Sequence, residues 1–103
     1  MNITLKQMFF IVDKQHRLMT NMDDVYAILE FINNTPVQSV NIPEILTKIR
    51  LLAPSWYLCA LKEYNEVAEI VGFDFKSMDI YISREKNNSV FFIEQLSVGN
   101  NLN

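Results

Sequence analysis

Turn-forming residues are scarce in this chain, and their scarcity limits the folds that it can adopt. Two glycines and three prolines occur in 103 residues. A sandwich or barrel of many strands needs such residues at every turn, about every eight to twelve positions. Half of the residues are apolar, which is enough to build a packed core and is not typical of a disordered chain. The sequence therefore predicts one small domain over residues 1–103, of the mainly α (α+β) class.

Apolar residues recur at helical spacing in the middle of the chain. A first helix is predicted near residues 22–33, because Asn21 or Thr20 can cap its start. A second helix is predicted after Asn41, with a proline in its first turn, and it ends at Ala53-Pro54. We expect these segments to belong to a compact bundle of three to four helices.

The next apolar stripe begins after Ser55, which can act as an N-cap, and continues to Gly72. The stripe fits one long helix or two helices broken near residues 62–65. Gly72 stands where a helix often ends on a residue with positive φ. After this glycine the pattern permits two structures. One is a helix over residues 75–86, which we favour, and the other is a strand at 79–83 paired with the next apolar run.

The two ends of the chain are predicted to form a small β element. Residues Thr4–Val12 are rich in phenylalanine and isoleucine, and they predict a strand followed by a turn and a short second strand at 17–19. The rival interpretation is an N-terminal helix that begins at the same threonine. Residues Val90–Leu96 predict a strand that pairs with Met8–Val12, and residues 97–103 predict a loose tail.

One segment, YNEVAEIVGFDFKSMDIYIS at residues 64–83, has the spacing of a helix-turn-helix. Such a corner needs a small residue where two helices approach closely, and a glycine whose φ is positive. Ala68 and Gly72 meet these needs, and apolar residues follow at helical offsets. The spacing resembles the bipartite motif of bacterial transcription regulators. The stretch EVAEIVGFDFKS is similar to the first such motif of AraC-type regulators, which commonly has an IA…GF…S pattern.

This resemblance implies a small DNA-binding transcription regulator, which we expect to be a dimer. Residues 66–72 would form the supporting helix, and residues 75–86 would form the helix that reads DNA. Ala68 and Gly72 would make the structural turn between them. The residues expected to contact phosphates or base edges are Lys76, Ser77, Ser83, Arg84 and Lys86.

The charge balance favours a different class of partner. Twelve acidic residues outnumber nine basic ones, for a net charge of −3, whereas DNA-binding proteins draw most of their affinity from neutralising phosphates. The alternative is a non-catalytic protein-binding module, such as an adaptor, accessory or inhibitor protein of a mobile element. On a strand, one residue of each adjacent pair Phe9-Phe10 and Phe91-Phe92 would point away from the core. That residue would be covered either by a second layer of the same domain or by an interface with that partner or a second copy. The acidic residues that would face a basic partner are Glu63, Glu66, Glu69 and Asp74.

Residues able to carry catalysis are few, and we do not expect an enzyme. His16 is the only histidine and lies in a predicted turn, while Cys59 lies on an apolar helix and is expected to be a small core residue. No spacing typical of a metal site or a phosphate-binding loop occurs, so no cofactor, metal or small-molecule substrate is expected. The longest apolar runs are about five residues, against the roughly 20 of a membrane-spanning helix. A single cysteine fits a reducing, cytoplasmic location.

Overall fold

Five α-helices and one two-stranded antiparallel sheet make up the part of the chain that the structure describes. The structure is a computed structural model, and it describes residues 1–96. The predicted mainly α fold with a small β element is confirmed, with five helices where three to four were expected. The predicted loose tail at 97–103 lies outside the described residues. The elements are β1 (Asn2–Thr4), α1 (Leu5–Val12), α2 (Met22–Asn33), a 3-10 turn (Ser39–Asn41), α3 (Ile42–Leu52), α4 (Pro54–Val71), α5 (Phe75–Glu85) and β2 (Val90–Phe92).

The N-terminal segment is helical, so the strand predicted at Thr4–Val12 is wrong and the rival helix is correct. Thr4 and Gln7 form a capping box: the Thr4 hydroxyl accepts the Gln7 N–H at 3.2 Å, and Gln7 Oε1 accepts the Thr4 N–H at 2.9 Å. Six of the eight α1 residues are apolar and buried, which places this helix in the centre of the fold. No strand forms at 17–19 either: a turn at residues 13–15 follows α1, and residues 17–19 are irregular.

The small sheet joins the two ends of the described chain, but with a different partner from the one predicted. β2 pairs with β1, in the register Asn2↔Phe92, Ile3↔Phe91 and Thr4↔Val90. The predicted pairing with Met8–Val12 is wrong because those residues lie in α1. The strand is also shorter than the predicted Val90–Leu96, since its regular pairing ends at Phe92.

The middle of the chain follows the predicted helices closely. Asn21 caps α2, its Oδ1 accepting the Asp24 N–H at 2.8 Å, and α3 begins after Asn41 as expected. α4 is one continuous helix of 18 residues with no break near 62–65. It begins at Pro54 with Ala53 as its N-cap, so the cap predicted at Ser55 is wrong. A proline suits the first helical turn, since its missing N–H would have no partner there.

α1 lies at the centre of the molecule and organises the rest. It packs against α2, α4 and α5, and the core is built from its buried side chains and those of the surrounding helices. Phe9 and Phe10 are both buried because they lie on this central helix, whereas Phe92 on β2 is 60% exposed. None of the helices within residues 1–96 combines the length and the apolar character required to span a bilayer.

Candidate nucleic-acid interface at the α4–α5 corner

The corner between α4 and α5 is made by one glycine in a conformation that other residues avoid. Gly72 has φ 83° and ψ 175°, and its N–H donates to the Ala68 carbonyl at 2.6 Å, which ends α4. The predicted positive φ is confirmed, but the ψ value places the residue outside the left-handed helical region. A Cβ added here would meet nothing within 4 Å, so the demand for glycine comes from the backbone alone. Ala68 is 6% exposed and packs in the core below the turn.

α5 begins two residues later with a strong side-chain cap. Asp74 is the N-cap, and its Oδ2 accepts both the Ser77 N–H and the Ser77 hydroxyl, each at 2.9 Å. The hydrogen bond from the Ser77 N–H, together with that from its hydroxyl, lowers the pKa of Asp74. Because the cap fixes residues 75–85 as a helix, the alternative strand at 79–83 is wrong and the favoured helix is confirmed.

The two sides of α5 differ sharply in burial. Met78 and Ile82, one helical turn apart, are 0% and 1% exposed and anchor the helix to the core. Phe75 is half-buried, with its ring edge-on to Phe9 at 5.8 Å between centroids. The opposite side, which we call the α5 outer arc, faces solvent. The α5 outer arc consists of Lys76, Ile80, Ser83 and Arg84.

Four of the five predicted DNA contacts lie on or beside this arc, and one does not. Lys76, Ser83 and Arg84 are exposed on the arc itself. Ser77 is half-buried at its edge, and its single hydroxyl proton is already donated to Asp74, so it has no proton left for a phosphate. Lys86 is the C-cap of α5, is half-buried, and lies on the other side of the helix.

Asp79, an acidic residue on α5, forms an ion pair with a lysine on the central helix. Asp79 lies 3.1 Å from Lys6 Nζ on α1, an ion pair that lacks hydrogen-bond angles, and its side chain is 41% exposed. This pair partly neutralises Asp79 and joins α5 to α1. The arc therefore carries two cations, Lys76 and Arg84, separated by the exposed Ile80.

A buried polar cluster joins the α4–α5 corner to α1, and we did not predict this cluster from the sequence. Asp13, the C-cap of α1, is 1% exposed. Its Oδ2 accepts the Arg17 backbone N–H at 2.9 Å and Nε at 3.0 Å, while Oδ1 accepts Arg17 Nη2 at 2.9 Å and Tyr64 Oη at 2.7 Å. The guanidinium of Arg17 also lies over the Phe75 ring at 5.2 Å and reaches the Phe73 carbonyl at 3.5 Å. One side-chain cluster thus joins α1, α4 and the start of α5.

The protonation states within this cluster are well defined. Burial opposes ionisation of Asp13, but hydrogen bonds from Arg17 and Tyr64 outweigh it and lower the pKa of Asp13 to about 2. Burial, together with the bond to Asp13, raises the pKa of Tyr64 to about 12. The hydrogen bond to Asp13 likewise raises the pKa of Arg17. At neutral pH the cluster therefore holds a carboxylate, a guanidinium and a neutral phenol.

One signal for this cluster was present in the sequence. Asp13 and Arg17 are four residues apart, a spacing typical of ion pairs, and Asp13 directly follows a run of apolar residues that ends a helix. Once the run is taken as a helix, the aspartate becomes a candidate cap. Tyr64 carries no such local signal, because it lies 51 residues from its partner.

The two residues considered for catalysis are both at the surface. Cys59 is exposed, so its predicted place in the core is wrong. At 100° per residue it lies beside the buried stripe that contains Ala60 and Tyr64. His16 is exposed in the turn after α1, with Nδ1 2.7 Å from the Phe10 carbonyl. Within residues 1–96, no group of three histidine, cysteine or acidic side chains is placed to bind a metal.

Comparison with protein-family models, curated proteins and solved structures gives no significant match to this chain. The similarity to AraC-type regulators therefore remains a prediction based on the motif alone.

Proposed function

We propose that this chain is a small DNA-binding transcription regulator that uses the α4–α5 corner. The observation that carries the proposal is the α5 outer arc, a solvent-facing stripe on a capped helix whose opposite side is fixed in the core. α5 would lie in the major groove as the reading helix, and α4 would support it. This activity would place the protein in the cytoplasm.

The α5 outer arc offers side chains for both kinds of DNA contact, those to phosphates and those to base edges. Lys76 and Arg84 suit phosphates or guanine edges, because each is a hydrogen-bond donor with a full charge. Ile80 between them suits an apolar contact with a thymine methyl group, and Ser83 suits either a base or a phosphate. Lys86 would reach only the phosphate backbone of the DNA beside the bases that α5 reads. Ser77 would hold the N-cap of α5 in place rather than touch DNA.

The small number of cations implies that two copies act together. A single arc presents Lys76 and Arg84 on a chain with a net charge of −3, which is a weak electrostatic footprint. A symmetric dimer would double it and read two half-sites. Val90 and Phe92, on one side of β2 and 58% and 60% exposed, are the surface that we propose for self-association.

Charge-removing substitutions on the arc test this function. Lys76→Gln with Arg84→Gln should weaken binding of random-sequence duplex DNA about tenfold or more at low salt, since two phosphate contacts are lost. The control is Lys48→Gln, which removes one positive charge from α3, where Lys48 pairs with Glu44 at 3.5 Å. Equal DNA affinity of the double variant and the control would contradict the proposal.

A second candidate function, a non-catalytic protein-binding module, is favoured by one observation. Ile70 and Phe73 flank the Gly72 turn and are 61% and 58% exposed, which is unusual for large apolar side chains so close together. The neighbouring Glu66 and Glu69 are exposed as well and would suit a basic partner. If Phe73→Ser abolished a stable complex with another protein while DNA binding stayed absent, this module would replace the regulator.

A further inference from the structure

A cavity of about 460 Å³ lies between α1 and α3, away from the α5 outer arc. Both helices pack against α2 and α4, and the space between them is left unfilled. Its apolar wall comes from Phe10 on α1 and from Ile42 and Leu46 on α3, which repeat at helical spacing. This volume lies within the range of sites for small organic ligands, about 300 to 1,000 Å³.

The polar groups around the cavity are few and of one charge sign. Arg50 lies in the last turn of α3 and, within the part of the chain that the structure describes, is the only fully charged side chain in the lining. The other polar residues of the lining are His16, Ser39, Thr47 and Tyr57. Among residues 1–96, no aspartate or glutamate lines the cavity, although the chain as a whole is acidic. An anion entering here would therefore meet a cation without a competing carboxylate in the wall.

The Arg50 guanidinium is not engaged elsewhere in the described chain. The ion pairs within residues 1–96 join Lys6 to Asp79, Arg17 to Asp13, and Lys48 to Glu44. An exposed arginine beside an apolar cavity presents a planar fork of donors, which matches a carboxylate in both shape and charge.

His16 adds a second polar group at a fixed place. Its Nδ1 lies 2.7 Å from the Phe10 carbonyl, which can only accept, so the proton of the neutral ring is on Nδ1. Nε2 is then the acceptor of the neutral ring. His16 holds this position with φ 50°, in the left-handed region, immediately after α1.

We infer that this cavity binds a small organic monoanion, a carboxylate attached to an apolar body. Arg50 binds the carboxylate, the Phe10, Ile42 and Leu46 wall receives the apolar body, and His16 accepts a hydrogen bond from a polar group on that body. The inference does not depend on DNA binding, because the cavity is lined by α1, α3, α4 and the two turns at His16 and Ser39, and its lining does not include α5.

A matched pair of probes tests the charge requirement directly. Indole-3-acetate and indole-3-acetamide share one apolar body and differ by the carboxylate charge. Titration of each into the isotopically labelled chain would be followed by amide resonances in two-dimensional NMR spectra. We expect saturable shifts at His16, Thr47, Arg50 and Tyr57 with the acetate, and affinity weaker by about tenfold or more with the acetamide.

Two variants and a control complete the experiment. Arg50→Gln should reduce acetate affinity to that of the acetamide, and Leu46→Trp should abolish binding of both by filling the cavity. Lys62→Gln is the control, since it removes one positive charge from an exposed site on α4 that does not line the cavity. If Leu46→Trp unfolds the chain, Arg50→Gln still tests whether the cavity binds the carboxylate. Absence of saturable shifts up to about 10 mM, which corresponds to Kd values weaker than millimolar, would overturn the inference, as would equal acetate affinity of Arg50→Gln and Lys62→Gln.

Discussion

Tyr64 Oη donates a hydrogen bond of 2.7 Å to Asp13 Oδ1, joining the middle of α4 to the residue that ends α1. The bond is buried and shares its acceptor with the Arg17 guanidinium. It fixes α4 relative to the central helix, and through Arg17 it also holds the start of α5. The orientation of the α5 outer arc therefore depends on a contact between residues 51 positions apart in the chain.

The first prediction concerns this bond. Tyr64→Phe removes the hydroxyl and leaves the packing of the ring against Phe9, whose centroid lies 5.2 Å away. Because the acceptor is a buried carboxylate, we expect the free energy of unfolding to fall by about 1.5–3 kcal/mol. Urea denaturation followed by circular dichroism measures this free energy of unfolding. Tyr57→Phe, at a half-buried tyrosine on the same helix without a hydrogen bond to Asp13, is the control and should change stability by less than about 0.5 kcal/mol.

The second prediction is the pH dependence of Asp13. Its pKa is about 2 in the folded chain and 3.8 as a free side chain. Because the folded value is the lower one, Asp13 contributes stability that is complete above about pH 5 and is lost as the pH falls towards 2. The difference in unfolding free energy between the natural chain and Asp13→Asn should shrink by roughly 2 kcal/mol between pH 6 and the acid limit. If the difference in unfolding free energy stays constant over this range, the charge of Asp13 does not stabilise the fold.

The third prediction concerns the turn. Gly72 lies at φ 83° and ψ 175°, a region almost restricted to glycine, and a Cβ there has open space around it. Gly72→Ala should therefore destabilise the fold by about 1–3 kcal/mol through backbone strain alone. Asn34→Ala is a useful comparison, because Asn34 has φ 57° and ψ 29° in the left-handed helical region, where the penalty is smaller. Equal thermal stability of Gly72→Ala and the natural chain would mean that the turn readjusts.

The fourth prediction follows from the position of Cys59. Because the side chain is exposed on α4, its thiol should react fully with a disulfide reagent in the folded chain. The measurement is the absorbance of the released thiolate, with and without denaturant. Reaction only after denaturation would place Cys59 in the core or in an interface between copies.

Local signals predicted most of the helices. Asn21 before α2, the proline near the start of α3 and Gly72 at the end of α4 are caps or stops whose physics is local, and each marks a real boundary. α5 was also predicted, because its buried residues Met78 and Ile82 repeat at helical spacing.

The errors have a common physical cause. The run from Met8 to Val12 is apolar throughout, so it has no period that separates strand from helix, and only burial on all sides decides between them. The wrong partner was predicted for β2 for the same reason, because residues 8–12 were expected to be a strand. The cluster of Asp13, Arg17 and Tyr64 depends on packing between elements far apart in the chain, which no local pattern encodes.

The measurement that tests the central claim most directly is the salt dependence of DNA binding. Fluorescence anisotropy of a labelled random duplex would be recorded at about 50 and 200 mM salt, for the natural chain and for Lys76→Gln with Arg84→Gln. If one chain neutralises two phosphates through Lys76 and Arg84, its affinity should fall about 12-fold between these salt concentrations, and about 150-fold for a dimer that neutralises four.

The double variant should lose most of this salt dependence together with most of its affinity. Lys48→Gln should retain both, because its charge lies on α3 and away from the α5 outer arc. Absence of binding at about 100 µM protein and 50 mM salt would contradict the claim that the α4–α5 corner binds DNA, since non-specific binders reach at least that affinity. The same conclusion would follow if the double variant and Lys48→Gln had equal salt slopes.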